Sequence, residues 1–399
     1  MIDLGEHLRR LLEPHHAGDR IAPDLVFVGV STELGLRIRL LRDAVRDPHR
    51  ENATEAEPTP IDVELAPLVD AERFAVAAGS LALSYRTSPQ HRVDPAVGKS
   101  ACEAVAVLVR RNEAAFLEGL EGLEGLREGE PGARIRPVRV RRVLEPAHEG
   151  FTPFYTLSPY VGCLIGCRFC YAQRNVGAVR RLLSLPELPW GSYVDVRENA
   201  AEVLAQELAT FEPRPIKFCP IVSDPYQAIE RRARLTRACL GSIAAADRPF
   251  PTLLLTRSTL ILEDVELIAS LPEAYVGVSL PTVDDDARQH FEPRAASIED
   301  RLRVLQIMRE HGVRTLAVVQ PMLPGSVEAM ADALAARVDS VSIDILRGEE
   351  GAASDFDLPL YRHARAKAWQ LEHAKHLRAA LEQRGVPVWH GELPPELER

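Results

Sequence analysis

Residues 252–280 read "TLLLTRSTLILEDVELIASLPEAYVGVSL". A short apolar run, Thr252 to Thr256, gives way to a helical pattern in "LEDVELIASL" and then to a second apolar run, "YVGVSL". The alternation continues outward in both directions. Upstream lie the strand patterns "YTLSPYVG" (155–162) and "IKFCPIV" (216–222), and downstream lie "RTLAVVQP" (314–321) and "SVSIDIL" (340–346). Between them stand the helical stretches "ENAAEVLAQELATF", "LTRACLGSIAAA", "SIEDRLRVLQIMREHG" and "SVEAMADALAAR". In the third of these, Ile298, Leu302, Leu305 and Met308 fall on one face and His311-Gly312 supplies a C-terminal stop. Six strand–helix repeats predict an α/β fold, a partial (β/α)6 TIM-like barrel, with its functional residues at the C-terminal ends of the strands.

Residues before about 145 have a different texture. "DLVFVGVST" (24–32) predicts a strand leading into an amphipathic "LGLRIRLLRDAVRD" (34–47), and "PAVGKSACEAVAVLVRRNEAAFLEGLEGLEGLREGE" (95–130) predicts a long helix with a fraying end. The polar "DPHRENATEAEPTPIDVE" (47–64) between them reads as an exposed loop. "VGKS" at 97–100 lacks the first glycine of a phosphate loop and follows no apolar strand, so it carries no phosphate site. The chain therefore divides into a smaller N-terminal α/β domain, 1–145, and a barrel with a C-terminal helical extension, 146–399. The boundary stretch "ARIRPVRVRRVLEP" (133–146) holds Arg134, Arg136, Arg139, Arg141 and Arg142. A charge-guarded edge strand accounts for it better than a nucleic-acid ridge does.

The 399 residues are 46% hydrophobic and 27% charged, enough for a large core plus a smaller domain. The N-terminus is charged throughout, and no run of about 18 apolar residues could span a bilayer. A cytoplasmic location without membrane association is expected. Net charge is -10, which repels a phosphate backbone and disfavours nucleic acid as partner. Three of six cysteines lie within eight residues, unlike a secreted disulfide framework.

Those three, Cys163, Cys167 and Cys170 in "YVGCLIGCRFCYAQ" (160–173), follow the first barrel strand at spacings of four and three, with no fourth nearby. A closed zinc site needs a fourth ligand, and His148 is the nearest upstream histidine. Three thiolates suit three irons of a [4Fe-4S] cluster whose fourth iron takes a small molecule. A non-catalytic iron–sulfur protein for electron transfer fits less well, because an open iron invites ligand chemistry.

The C-x3-C-x2-C-Tyr pattern after a first barrel strand resembles the radical S-adenosylmethionine (SAM) enzymes. "SPYVGCLIGCRFCYAQ", "WGSYVDVRENAAEVLAQEL", "SDPYQAIERRARLTR", "LLLTRSTLILEDVELI" and "FEPRAASIEDRLRVLQIMREHGV" resemble the branch containing spore photoproduct lyase, over about residues 151–346. The resemblance implies two cofactors, a [4Fe-4S] cluster on Cys163, Cys167 and Cys170, and SAM. It places Phe169 against the adenine, Ser223 and Asp224 at the methionine amine, and Arg257, where the family has a lysine, with Ser279 at the methionine carboxylate. Arginine keeps that charge and can grip a carboxylate in two bonds. It implies a reducing partner such as flavodoxin or ferredoxin, and a 5'-deoxyadenosyl radical that abstracts hydrogen from substrate. Whether Glu292 and Arg294 of "EPRA" touch substrate or pin a loop stays open.

Photoproduct lyases return hydrogen through a cysteine that would fall at Ile221 here, helped by two tyrosines. Of those, Tyr171 is present and the other position is Phe169. Cys219 lies two residues earlier, displaced by about 7 Å along a strand. Tyr171 and Cys219 are thus the tentative catalytic residues, although a lone strand cysteine is commonly core, and the same holds for Cys102 and Cys239. The altered relay and the acidic balance favour a small-molecule or peptide substrate, gripped with help from the N-terminal domain; DNA-lesion repair is the alternative.

Overall fold

A computed structural model of the chain describes residues 8–31, 36–42, 58–67, 76–78, 81–87, 93–122, 134–149, 152–182, 185–186, 188–218, 222–346 and 350–397. By internal contacts the chain forms two units, Met1–Arg127 with Asn175–Glu187, and Glu128–Arg174 with Leu188–Arg399.

The first unit carries strands β1 (Arg20–Ala22), β2 (Leu25–Ser31), β3 (Leu36–Arg42), β4 (Thr59–Pro67), β5 (Val76–Ala78) and β6 (Leu81–Arg86). They form one sheet in the order β1-β2-β3-β4-β6-β5, antiparallel throughout. Two expectations are corrected here. "LRIRLLR" (36–42) forms β3, a strand and not the start of an amphipathic helix, because Leu36, Ile38 and Leu40 alternate into the core at period two. "TPIDVE" forms the start of β4, with Ile61 and Val63 buried, while residues 47–57 of the expected loop lie outside the described residues. The helix Pro95–Gly122 lays Ala101, Cys102, Val105, Ala106 and Val109 on the same core, so "VGKS" is simply its first turn. Gly98 lets this helix approach Tyr85, whose ring an added Cβ would meet at 2.3 Å. The "EGLEGLEGL" end runs out of the described residues beyond Gly122.

The second unit holds β7 (Ile135–Val138), β8 (Leu144–Glu149), β9 (Thr152–Leu157), β10 (Tyr160–Val161), β11 (Val194–Arg197), β12 (Ile216–Phe218), β13 (Thr252–Thr256), β14 (Ala274–Ser279), β15 (Arg314–Val319), β16 (Ser340–Ile343) and β17 (Val388–Trp389). β9-β12-β13-β14-β15-β16 run parallel and in sequence order, the six strands expected. β17 adds a seventh parallel strand beside β16, and β8 pairs antiparallel with β9. Helices intervene, several with caps legible in the sequence: Asp284, Ser297 and Ser326 accept from Ala287 N, Asp300 N and Ala329 N. The helix Ile298–Glu310 buries Leu305 and Met308 and ends before Gly312, whose φ of +76° suits the stop.

Each barrel strand has two buried faces. Tyr155, Leu157, Phe218, Leu254, Val276, Ala317 and Val341 face the helix layer. Alternate residues, Phe154, Leu253, Leu255, Tyr275 and Leu316, face the lumen with Trp389, Leu393 and Leu397. Gly277 opposes Leu255 and Leu316 there; a Cβ would meet them at 2.3 and 2.5 Å. On this inner face Lys217 pairs with Glu392 and Trp389 donates to Ser340. Residues further along the same faces, Arg257 and Ser279, stand at the C-terminal rim.

Strands β10, β11 and β7 form a separate small sheet with β7 at its edge. Arg134, Arg139 and Arg141 are exposed along it, as the edge-strand reading expects. Arg136 is different. It is 5% exposed and makes a bidentate pair with its cross-strand partner Asp195 at 2.9 and 2.6 Å. Among the described residues no helix is long and apolar enough to cross a membrane.

Candidate radical SAM site

The loop after β10 is curled by two glycines, Gly162 at φ +88° and Gly166 at φ +61°, conformations that a side chain resists. An extra Cβ at Gly162 would lie 2.7 Å from the Tyr193 carbonyl oxygen. Four neighbours fix the loop. Gly162 N donates to Val222 O, and the fully buried Gln227 donates to Gly162 O while accepting from Leu164 N. Arg168 N donates to Phe291 O. Arg294 donates to Ile165 O and, at 2.7 Å, to Gly191 O, so it pins this loop to the 189–192 turn. That assigns Arg294 of "EPRA" to loop pinning.

Cys163 and Cys167 are buried on the loop and Cys170 is half-buried. Ile165, Phe169, Phe291, Leu323, Phe356 and Tyr361 pack around them, a dry lining. As free thiols they are reluctant acids: burial, then the nearby Asp224, pushes Cys163 up to about 12, while the backbone N–H groups of Asp224 and Ile165 point at its sulfur. Burial raises Cys167 well above the usual thiol range. Among the described residues no three His, Cys, Asp or Glu side chains gather around a point suited to one metal ion. A cubane does not require that, since each thiolate takes its own iron. Three thiols on one curled loop in an apolar surround, with N–H groups turned toward one sulfur, fit such a cluster.

The strand-end residues converge on the loop. Asp224 is buried, and its carboxylate accepts from Tyr226 N at 2.9 Å, Thr256 Oγ1 at 2.7 Å and Arg257 N at 2.8 Å. It therefore makes an Asx turn and clasps the end of β13, while burial still raises its carboxyl above the ordinary value. Arg257 lies between Asp224 and the cysteines. Its Nε donates to Glu292 at 2.6 Å, and its guanidinium stands 5.9 Å from the Phe169 ring centroid. Among the described residues its two Nη atoms have no hydrogen-bond partner. Phe169 also contacts Phe291, ring centroids 6.3 Å apart. Ser223 and Ser279 are buried, and the Ser279 carbonyl accepts from Arg301. Tyr171 is half-buried directly after Cys170.

Two tentative assignments receive no structural account: Cys219, and the Ile221 position compared with it, lie outside the described residues. Cys102 and Cys239 are core residues, fully buried among apolar side chains. Sequence reading missed Gln227, and it left Glu292 unresolved. Glu292 is fully buried and salt-bridged to both Arg257 and Arg301. The one available signal was position: both residues lie within the quoted motif fragments, but the loop that Gln227 holds is more than 60 residues away and Arg257, one of the two partners of Glu292, is 35 away.

Comparison with known proteins bears on residues 157–338, which match the Radical SAM superfamily. An uncharacterised protein of Methanocaldococcus jannaschii is 28% identical over 182 residues, 44% of this chain and 62% of that protein. An uncharacterised protein of Mycobacterium tuberculosis is 31% identical over 178 residues, 43% of this chain and 51% of its own length. The chain thus spans about half to three-fifths of these curated relatives. Among solved structures, a spore photoproduct lyase complexed with dinucleoside spore photoproduct aligns with 16% identity and a TM-score of 0.47, covering 64% of this chain and 82% of that one. The segment similar to the Radical SAM superfamily, residues 157–338, thus contains the cysteine loop and strands β12 to β15 of the parallel sheet.

Proposed function

We propose that the protein is a radical SAM enzyme acting on a small-molecule or peptide substrate. The observation that carries this reading is the curled, apolar loop of Cys163, Cys167 and Cys170 at the barrel rim, with Arg257 beside it. When bound, the cofactors supply one-electron cleavage of a sulfonium and a 5'-deoxyadenosyl radical that takes hydrogen from substrate. Cys163, Cys167 and Cys170 would hold the cluster. Arg257 offers its Nη pair to the methionine carboxylate from a position fixed by Asp224 and Glu292, so little conformational entropy is lost on binding. Asp224 and Ser223 would meet the methionine amine, Ser279 would add a hydroxyl, and Phe169 would pack against the adenine. The aromatic lining from Phe291, Phe356 and Tyr361 excludes water and competing hydrogen donors. Tyr171, next to the last cluster ligand, and Cys219 are the residues to test for hydrogen return.

The six strands of the N-terminal unit stand outside the matched segment, and we assign that unit to shaping the substrate site. A flavodoxin- or ferredoxin-type donor would supply electrons, in the cytoplasm. The charge of -10 and the pairing of Arg136, Arg139 and Arg142 with Asp195, Glu202 and Glu207 support a substrate other than nucleic acid.

Anaerobic reconstitution tests the reading. The wild type should carry about four irons and about four sulfides per chain, lost in Cys167→Ala, and should release 5'-deoxyadenosine from SAM with dithionite. Stoichiometric zinc with no deoxyadenosine would refute it.

A further inference from the structure

Glu292 ends the helix Asp285–Phe291 and has no solvent exposure. One carboxylate oxygen accepts from Arg257 Nε at 2.6 Å and lies 3.8 Å from Cys167 Sγ. The other accepts from Arg301 Nη1 at 2.9 Å. Arg301 is 1% exposed, donates also to Ala296 O and Ser279 O, and leaves Nη2 buried with no partner. One carboxylate, paired to two guanidinium groups, thus stands against a cysteine of the loop. Such a buried arrangement is weak evidence for stability, because well-packed apolar residues often serve a fold as well or better. Its charges act in a medium far less polarisable than water, so each counts at the adjacent sulfur.

We propose that Glu292 is a positioning residue that sets the reduction potential of the cluster on Cys167, with Arg257 as its counterweight; this rests on the radical SAM reading of the same site. One electron added to a cluster meets repulsion from a neighbouring carboxylate and attraction from a neighbouring guanidinium. Removing the carboxylate charge while keeping its shape therefore makes the cluster easier to reduce. Removing the arginine makes it harder. Holding the two together keeps the potential between those extremes and keeps Arg257 in one orientation.

The test uses the full chain, reconstituted anaerobically, without SAM, and titrated with dithionite in the presence of redox mediators while the one-electron-reduced cluster is followed by electron paramagnetic resonance. Glu292→Gln should shift the midpoint to a less negative value and Arg257→Met to a more negative one, with iron content equal to wild type. Glu292→Asp keeps the charge but withdraws it by one methylene, and should fall between wild type and Glu292→Gln. Should Glu292→Gln fail to accumulate as folded protein, Glu292→Asp and Arg257→Met must still bracket the wild type. Midpoints that coincide, or that move in the same direction, in variants with intact clusters would overturn the inference and leave the functional reading standing. A wild type that holds no cluster would overturn both.

Discussion

Gly166→Ala should do more damage than an alanine at any ordinary loop glycine, and the structure says why. Gly166 has φ +61°, where an L side chain costs about 1–2 kcal/mol. The new Cβ would lie 2.2 Å from Arg294 Nη2 and 2.7 Å from Gly191 Cα. Backbone cannot yield cheaply, so the guanidinium must leave, giving up bonds to Ile165 O and Gly191 O. A hydrogen bond to a charged group contributes about 1.5–3 kcal/mol, so losing even one brings the total to roughly 2.5–5 kcal/mol. Gly312→Ala is the control, with φ +76° and nothing within 4 Å of the added Cβ. It should cost only the conformational part, about 1–2 kcal/mol. The loop can open locally to escape the clash, so the difference should appear most strongly as lost iron retention after reconstitution and less in the unfolding midpoint. Both variants are compared with wild type by denaturant unfolding of the apoprotein and by iron content after desalting. Equal iron retention and equal stability in the two variants would refute the clash.

Other outcomes follow from the same geometry. Arg257→Ala should weaken SAM binding roughly ten- to hundredfold, as loss of a charge-assisted contact of about 1.5–3 kcal/mol implies, with Arg257→Lys retaining much of it; calorimetry showing unchanged affinity on an intact cluster would remove Arg257 from the carboxylate. Arg136→Met leaves Asp195 buried without its cross-strand partner and should destabilise by about 3–5 kcal/mol, whereas Arg136→Met with Asp195→Leu should recover most of that; urea unfolding decides, and additive losses would contradict the pairing. Burial pushes the Cys102 thiol up to about 12, so at pH 8 only about one molecule in ten thousand is thiolate, and the fraction grows as pH rises toward that value. Native protein should therefore resist iodoacetamide at Cys102 until unfolded, and rapid native labelling seen by mass spectrometry would contradict the packing.

The barrel was legible because its signals are local. Each apolar run and each cap, such as Ser297 before the helix Ile298–Glu310, lies within a few residues of what it controls. The cysteine loop was legible for the same reason. β3 was misread because "LGLRIRLLRDAVRD" satisfies a helical stripe as well as an alternating one, and only pairing with β2 and β4 selects the strand. Arg136 and Glu292 were not legible as buried groups. Their charges look like surface until the fold brings Asp195 from 59 residues away and Arg257 from 35. Asp224 was read as a cofactor contact from the family resemblance and its strand-end position, and its clasp on Thr256 and Arg257 emerges only once β13 lies beside it.

The pair between Lys217 and Glu392 inside the barrel spans 175 residues of chain. During synthesis at the ribosome, at about 5–20 residues per second, strand β12 exists for roughly ten to thirty-five seconds before that carboxylate has been made. Trp389, Leu393 and Leu397, which fill the lumen beneath the rim, arrive in the same late interval. The inner face of the barrel is thus finished from its far end, and a nascent chain has already exposed the three thiols of the 163–170 loop to the cell's metal supply while that face still awaits its last side chains.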